Sequence, residues 1–263
     1  MKTSLKAYKF LESYTRIDEI LSENDYVFEE LDSIPSRDRL TFTNGFYVNC
    51  TALFVDIRDS SKLPDNHTRP VLAKLYRAYI SEVVAIMNDN PLCAEVNIVG
   101  DCIGGIFDTK FKVNIDSVFE TAAKICSLIQ VLNYKLQKKG IIPIKIGIGM
   151  DYGRALMIKA GSLGSTINEV VWMGDVLNKA SKLCKEANKD NQYFPNFSGI
   201  IIGNGELMVS KTIYDNLCDR YKALLQCNGT QDCHHGYIID IEMDRWYQFN
   251  YKNMGLLGYL GNL

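Results

Sequence analysis

The chain has 263 residues, with 29 Lys and Arg against 31 Asp and Glu, for a formal net charge of -2. This length suits one substantial α/β domain with an appendage. Charges of both signs are spread along the chain, which excludes the basic face of a nucleic-acid-binding protein and leaves a small polar ligand as compatible. We find neither a signal-peptide h-region nor an apolar run of the ~18 residues that a membrane span needs, so we expect a soluble, cytoplasmic protein.

The first half of the chain predicts a helix, a strand and a hairpin. Residues 1–40 predict a helical arm that ends in a loop. A β run at 46–57 follows, and an amphipathic helix at 69–88 has apolar residues at spacings of three and four. Short strands at 94–99 and 102–107 are joined through Gly100 and Asp101, which predicts a tight hairpin with an acid at its tip.

The second half predicts further alternation of helices and strands. The predicted elements are a helix at 116–138, a strand at 142–150, a turn at 151–153, a strand at 155–159, a helix at 174–187, a strand at 199–202, a helix at 211–225, and strands at 237–242 and 246–251 that close the sheet. This order indicates an α+β fold, with one antiparallel or mixed sheet and helices on one face. We therefore divide the chain into an arm at 1–40, a main domain at 41–251 and an apolar tail at 252–263.

The eight cysteines lie mostly in apolar runs such as FYVNCTALF and AAKICSLI, which is typical of buried thiols in a reducing compartment. Cys227, Cys233, His234 and His235 form the one Cys/His cluster. It lacks the C-x-x-C pairs of a strong zinc motif, so a structural or loop role is favoured over metal binding.

Two aspartates stand at strand ends. Asp56 lies where the first β run stops, and Asp101 lies at the hairpin tip. If the strand lies beside the hairpin, the two carboxylates meet, and they would repel each other by about 4 kcal/mol at 4 Å and a dielectric of about 20. Such a pair needs a proton or a divalent cation, and hard carboxylate oxygens select Mg²⁺ or Mn²⁺. Either aspartate alone is more often a turn or cap residue.

The surrounding motifs resemble the class III adenylate and guanylate cyclases. The stretches FVDIRDSSKL and VNIVGDCIGGIF are similar to the two metal-binding segments of that family. IKIGIGMDYGRALMIKAG resembles its strand, glycine turn, strand unit, and WMGDVLNKASKL resembles its W-G-x-x-V-N-x-A-S-R helix. The four segments occur in the family's order. The resemblance implies a ferredoxin-like class III cyclase fold and a head-to-tail homodimer with composite active sites.

The resemblance also implies roles for particular residues. Asp56 and Asp101 take the places of the metal-binding aspartates, with the carbonyl of Ile57 as a further ligand for two Mn²⁺ or Mg²⁺ ions. Asn178 takes the place of the asparagine that positions the ribose. Lys182 stands where the family has an arginine against the phosphates, and it keeps the charge but loses the bidentate fork. The substrate implied is a nucleoside triphosphate, converted to a 3′,5′-cyclic monophosphate and pyrophosphate.

The base-recognition positions depart from the purine cyclases. Counting from the motifs gives Asn97 and Val171 where adenylate cyclases have Lys and Asp. Valine cannot pair with a purine edge, and an unpaired buried polar group costs roughly 1–3 kcal/mol. Asn97 can donate and accept, which suits uracil or cytosine. Trp172 either fills space left by a one-ring base or belongs to the core.

The segment FVDIR resembles the pyrimidine cyclases of bacterial anti-phage defence, whose cyclic UMP or cyclic CMP is read by a separate effector. Arg58 is then either a substrate contact or the partner of Asp59 or another surface acid. The resemblance favours UTP over CTP. An adenylate or guanylate cyclase with an atypical pocket and a non-catalytic pseudocyclase remain alternatives. A GGDEF-type synthase is set aside, because the hairpin reads VGDCIGG.

Overall fold

The computed structural model describes residues 7–161, 168–189, 205–227 and 232–252. The helices are α1 Phe10–Leu21, α2 Leu63–Asn66, α3 Arg69–Asp89, α4 Lys112–Gln137, α5 Asp175–Glu186, α6 Lys211–Asn216, α7 Asp219–Lys222 and α8 Ile241–Tyr247. The strands are β1 Phe28–Leu31, β2 Gly45–Ile57, β3 Cys93–Val99, β4 Cys102–Phe107, β5 Ile146–Gly161, β6 Asn168–Met173, β7 Leu207–Ser210, β8 Gln226–Cys227 and β9 Cys233–Gly236. The predicted strand at 199–202 and nearly all of the predicted tail at 252–263 lie outside the described residues.

One mixed sheet organises the domain and confirms the predicted α+β class. Its order is β3-β4-β2-β5-β7-β9-β8, with β1 paired to β2 and β6 paired to β5. The pairings β3–β4, β4–β2 and β2–β5 are antiparallel, whereas β1–β2 and β5–β7 are parallel. The two longest strands, β2 and β5, pair along the whole of β2, from Gly45 opposite Ile158 to Ile57 opposite Ile146. The ends of these two strands therefore have fixed neighbours.

Helices pack on both faces of the sheet, whereas the sequence had predicted one. Alternate residues of β2, including Leu53 and Val55, point into the large core shared with α3 and α4. The intervening residues Cys50 and Ala52 pack instead against Val176 and Ala180 of α5. The helix α5 thus covers the second face, and it lies beside the end of β2 that carries Asp56. No helix of the described ranges is long and apolar enough to cross a bilayer.

The strand β5 was predicted as two strands with a turn between them, and that prediction was wrong. The residues at 151–153 continue the strand, with Asp151 opposite Ala52 and Gly153 opposite Cys50. The uninterrupted ladder to β2 outweighs the local turn tendency of an Asp-x-Gly sequence. Residues 142–145 precede the strand and are not part of it.

The predictions for the last part of the chain also need correction. The predicted helix at 211–225 is two short helices, because Leu217 and Cys218 adopt extended backbone angles between α6 and α7. The predicted strands at 237–242 and 246–251 are absent: residues 237–240 form no regular element, α8 covers 241–247, and a π-helical turn follows at 248–252. Asp240 caps α8 by accepting a hydrogen bond from the backbone N–H of Met243 at 2.8 Å. This cap outweighs the β tendency of the aromatic and branched residues nearby.

The Cys/His cluster has structural contacts. The ring of His234 stacks on Tyr214 at 3.6 Å between centroids, and Nδ1 of His235 accepts a hydrogen bond from the backbone N–H of Gly205. Cys233 is buried beside them on β9. All eight cysteines fall within the described ranges, and seven of them are free thiols, namely Cys50, Cys93, Cys102, Cys126, Cys184, Cys218 and Cys227.

The N-terminal arm contains more than the predicted helix and loop. Its α1 buries no residue, and Phe10 and Ile17 are exposed on it. Its β1 adds a parallel edge strand at the start of β2, with Phe28 opposite Gly45. The boundary at residue 40 between arm and domain stays a prediction.

The close packing of α5 on β5 depends on Gly149. A Cβ at this position would lie 2.0 Å from the carbonyl oxygen of Ala180 and 2.1 Å from the backbone nitrogen of Cys184. We expect Gly149→Ala to lower the free energy of unfolding by about 3 kcal/mol or more, because backbone atoms of the helix would have to move. Urea denaturation measures this. The control is Gly153→Ala on the same strand, where the nearest atom would lie at 3.4 Å; an equal loss in both variants would contradict the packing argument.

Candidate active site

The hairpin brings the two predicted metal-binding aspartates to the same place. Val55 of β2 lies opposite Ile103 of β4, so Asp56 at the end of β2 adjoins the hairpin tip. The tip has two residues between the pair Val99 and Cys102. Gly100 occupies the first of them with φ +65°, a conformation that glycine adopts without strain and that two-residue hairpins favour there. The Gly-Asp sequence therefore turns the chain and places Asp101 beside Asp56.

The electrostatics of this corner confirm that the carboxylates are neighbours. The pKa of Asp56 is raised, first by burial and then by the charge of Asp101, while Arg58 opposes the rise. The Oδ2 atom of Asp101 is buried and has no hydrogen-bond partner among the described residues. An unpaired buried carboxylate oxygen next to a second carboxylate suits a hard divalent cation, which would satisfy both. The residues present thus fit the predicted metal ions.

The pair does not belong to a larger cluster of metal-binding side chains. Within the described ranges no group of three or more His, Cys, Asp or Glu side chains is placed to hold an ion. A site built from two carboxylates needs its other ligands from backbone carbonyls and from the bound molecule, as is common where Mg²⁺ arrives with phosphates. The buried Ile57, which follows Asp56 at the strand end, remains the predicted backbone ligand.

The guanidinium of Arg58 is bound by two other groups of the same chain. Its Nη2 donates to Oδ2 of Asp56 at 2.9 Å, and its Nη1 donates to the carbonyl oxygen of Lys185 in α5 at 2.8 Å. The side chain is only 10% exposed. The predicted salt bridge of Arg58 with Asp59 or another surface acid is absent, because Arg58 pairs with the half-buried Asp56 and Asp59 pairs with Lys62. A contact of Arg58 with substrate stays a prediction.

Asn178 and Lys182 lie one turn apart on α5, and both are exposed. Neither side chain forms a hydrogen bond or ion pair with the part of the chain that the structure describes. The opposite side of α5, with Val176 and Ala180, is packed on the sheet. Both polar side chains are consequently free to meet a ligand that approaches from outside the subunit.

Two of the predicted base-recognition residues, Asn97 and Trp172, converge on a buried carboxylate, Glu95, that sequence reasoning missed. Nδ2 of Asn97 donates to Oε1 of Glu95 at 3.2 Å, and Nε1 of Trp172 donates to Oε2 at 2.9 Å. Arg37 forms an ion pair with the same Oε2 at 3.0 Å. Trp172 also packs in the apolar clusters beneath, so it belongs to the core as well. Val171 faces the other side of β6 from Trp172 and is not part of this group.

One sequence signal pointed to Glu95. It lies two positions before Asn97 in a strand, so the two side chains share a face. An acidic residue whose side chain is buried within a strand requires a partner. The identity of the partners Arg37 and Trp172 depends on contacts across long stretches of chain, which the sequence does not specify.

Comparison with known proteins agrees with this geometry. Residues 43–192 match the adenylate and guanylate cyclase catalytic domain. The chain is 43% identical over 223 residues to a uridylate cyclase from Gulbenkiania mobilis, covering 82% of each chain. It is 34% identical over 248 residues to a uridylate cyclase from Treponema porcinum, covering 94% of this chain and 82% of that one.

Solved structures share the fold. The adenylyl cyclase CyaB from P. aeruginosa superimposes with a TM-score of 0.55 at 20% identity, covering 70% of this chain and 85% of that chain. The chain therefore belongs to the adenylate and guanylate cyclase catalytic domain family, the class III nucleotidyl cyclases. It is a nucleotidyl cyclase, a phosphorus–oxygen lyase by class.

The ion pair of Arg58 joins the end of β2 to the last turn of α5. We expect Arg58→Met to lower the free energy of unfolding by about 2 kcal/mol. The carboxylate of Asp56 would lose its guanidinium partner, and the carbonyl oxygen of Lys185 would lose its hydrogen-bond donor. Breaking a fully buried pair costs about 3–5 kcal/mol, and this pair is screened because the Asp56 side chain is 33% exposed.

Urea denaturation of Arg58→Met beside Asp59→Asn tests the pair. Asp59 is exposed and pairs only at the surface, so its variant should stay within about 0.5 kcal/mol of the wild type. Equal stability of Arg58→Met and wild type would show that the pair does not hold the corner together.

Proposed function

We propose that this chain converts UTP to 3′,5′-cyclic UMP and pyrophosphate, with CTP as the second substrate in preference. The observation that carries the cyclase reaction is the pair of adjoining carboxylates, Asp56 and Asp101, with one buried oxygen unsatisfied. The names of the two relatives support uracil as the base. The absence of a purine-pairing side chain at Val171 supports the same choice.

The positions of the side chains support the following roles. Asp56, Asp101 and the carbonyl of Ile57 would hold two Mn²⁺ or Mg²⁺ ions. When bound, such ions polarise the triphosphate and the ribose 3′-hydroxyl as Lewis acids. The amide of Asn178 orients the ribose so that its 3′-oxygen lies in line with the α-phosphorus. The 3′-hydroxyl gives up its proton to solvent water, its oxygen forms the new bond to the α-phosphorus, and pyrophosphate leaves with the electrons of the broken P–O bond.

Lys182 stabilises the negative charge that develops on the phosphates. A single ammonium on a flexible stem lacks the paired donors of arginine, so it acts as a point charge. Its exposed position on α5, without a partner in the described residues, leaves the ammonium available for this purpose. Arg58 fixes the position of the Asp56 carboxylate, because the same guanidinium also bonds to the carbonyl oxygen of Lys185 in α5.

We further propose that the enzyme is a head-to-tail homodimer with two composite sites. Asn178 and Lys182 form no hydrogen bond or ion pair with Asp56 or Asp101 of the same subunit, and they are exposed on α5. A partner related by a twofold axis would bring its own α5 to Asp56 and Asp101 of this subunit. The same twofold rotation would bring this subunit's α5 to the partner's aspartates and complete the second site. The exposed apolar residues of α1, including Phe10 and Ile17, suit the arm for a contact with that partner.

The biological setting is part of the proposal. Cyclic UMP made in the cytoplasm would act as a second messenger in anti-phage defence, read by a separate effector protein. The seven free thiols named above support a reducing compartment.

The metal assignment predicts the behaviour of Asp101→Ala. We expect turnover to fall by about a thousandfold or more, because the cation site loses a ligand. The melting temperature should not fall, since the variant removes a carboxylate that has an unpaired oxygen and repels Asp56. The assay incubates the protein with Mn²⁺ and all four nucleoside triphosphates and identifies products by mass spectrometry.

The control for that assay is Asp59→Asn, an exposed acid three residues beyond Asp56, which should keep wild-type turnover. Retained turnover in Asp101→Ala would refute the metal assignment. Cyclic AMP or cyclic GMP from the wild type would keep the reaction and refute the pyrimidine substrate. Nucleotide binding without any product would indicate a pseudocyclase.

Composite sites predict complementation between two inactive variants. Asp101→Ala lacks the metal ligand, and Lys182→Ala lacks the phosphate contact and should lose about a hundredfold in turnover. In an equal mixture that exchanges subunits, about a quarter of all sites combine two unmodified halves, so about a quarter of wild-type turnover should return. A mixture no more active than its components would show that each subunit carries a complete site.

A further inference from the structure

The carboxylate of Glu95 is the most completely enclosed charge near the site. Its side chain is 2% exposed, and each neighbour bonded to it is a donor. Asn97 lies on the same strand, Trp172 lies on β6, and Arg37 comes from the N-terminal arm. Three separate parts of the chain thus meet at one buried acid, an arrangement that needs a reason because burying a charge is costly.

Glu95 fixes which way the Asn97 amide points. A carboxylate only accepts hydrogen bonds, whereas an amide has a donor end and an acceptor end. The 3.2 Å contact therefore requires the Asn97 nitrogen to face Oε1 of Glu95. The carbonyl oxygen of Asn97 then points away from Glu95. Asn97 is exposed, so this oxygen is available to a ligand.

The remaining donors keep Glu95 from turning. Both Trp172 and Arg37 bind Oε2, which leaves Oε1 for Asn97. The indole of Trp172 is itself anchored in the apolar clusters below the sheet face. Neither oxygen of Glu95 can leave its partner without leaving a buried polar group unpaired.

We propose that Glu95 is a positioning residue for base choice, which it sets by presenting the Asn97 carbonyl oxygen as a hydrogen-bond acceptor. This inference rests on the proposed function. Uracil has an N–H at ring position 3, and that N–H can donate to this oxygen. Cytosine has an unprotonated nitrogen at position 3, which would face the oxygen as a second acceptor. The arrangement therefore favours UTP. With CTP, the Asn97 carbonyl oxygen and the cytosine ring nitrogen would face each other as two acceptors without a donor between them, which disfavours CTP.

The test is Glu95→Gln, measured as the ratio of kcat/KM for UTP to that for CTP. Glutamine has a donor end, so it permits the Asn97 amide to turn and to present its nitrogen instead. We expect the ratio to fall by about tenfold or more, with kcat/KM for CTP rising or falling less than that for UTP. A merely structural role for Glu95 would lower both values alike and leave the ratio unchanged, which overturns the proposal.

The matched control is Glu169→Gln. Glu169 makes the other ion pair of Arg37, at 3.8 Å, but its side chain is 45% exposed. The substitution changes the same chemical group beside the same arginine without altering Asn97 or Trp172. Its UTP/CTP ratio should equal that of the wild type. A ratio that falls as far as in Glu95→Gln would assign the effect to Arg37 and overturn the proposal.

A second variant keeps the inference testable if Glu95→Gln does not fold. Asn97 is exposed, so Asn97→Ala should fold, and it should lower the UTP/CTP ratio by about the same factor. In the double variant Glu95→Gln, Asn97→Ala the ratio should fall no further, because both changes act through one amide. An unchanged ratio in Asn97→Ala overturns the proposal whatever Glu95→Gln does.

The wild-type protein separates the two levels of failure. Cyclic UMP as the main product, with ratios that the variants leave unchanged, would overturn the role of Glu95 and leave the proposed function intact. A wild-type preference for CTP would overturn the role of Glu95 while keeping a pyrimidine cyclase. Purine products alone, or no product, would overturn both.

Discussion

The full-length pairing of β2 with β5 is the constraint on which the rest of the structure depends. Because the ladder runs without a break from Gly45 to Ile57, the end of β2 has one position relative to the hairpin and to α5. The hairpin then determines where Asp101 lies, and Gly149 admits α5 close to β5. Asp56 and Asp101 meet because of backbone pairing, at the cost of mutual repulsion that no side chain of the described residues fully offsets.

The proposed cation-binding residues and the proposed base-recognition residues belong to two separate side-chain networks. Around Asp56, Arg58 offsets part of the negative charge and bonds to the backbone of α5. Around Glu95, the buried acid accepts from donors of the arm, β3 and β6. The two networks share the sheet but not their side-chain contacts. Substitutions in the Glu95 network should therefore leave the arrangement of Asp56, Asp101 and Arg58 unchanged.

The fold and the proximity of Asp56 to Asp101 could be predicted from the sequence because their signals are local. The apolar strand that stops at Asp56 and the Gly-Asp hairpin each reveal their structure within about ten residues. The Glu95 network could not be predicted, because Trp172 lies 77 positions from the acid that it contacts. The errors had two origins. Long-range pairing with β2 overrode the turn signal at Asp151, whereas the local cap at Asp240 overrode the β tendency after it.

The strand β1 has a consequence for the solubility of shortened chains. It pairs with β2 from Gly45 to Val48, and the ring of Phe28 lies against Gly45, where a Cβ would come within 2.8 Å. A chain that began at the predicted boundary, residue 41, would lack this cover and would present a row of unpaired backbone N–H and C=O groups beside the apolar Phe46 and Val48. Open strand edges of this kind recruit strands from other molecules. Removal of the arm should therefore promote aggregation, and it would also remove the ion pair between Arg37 and Glu95.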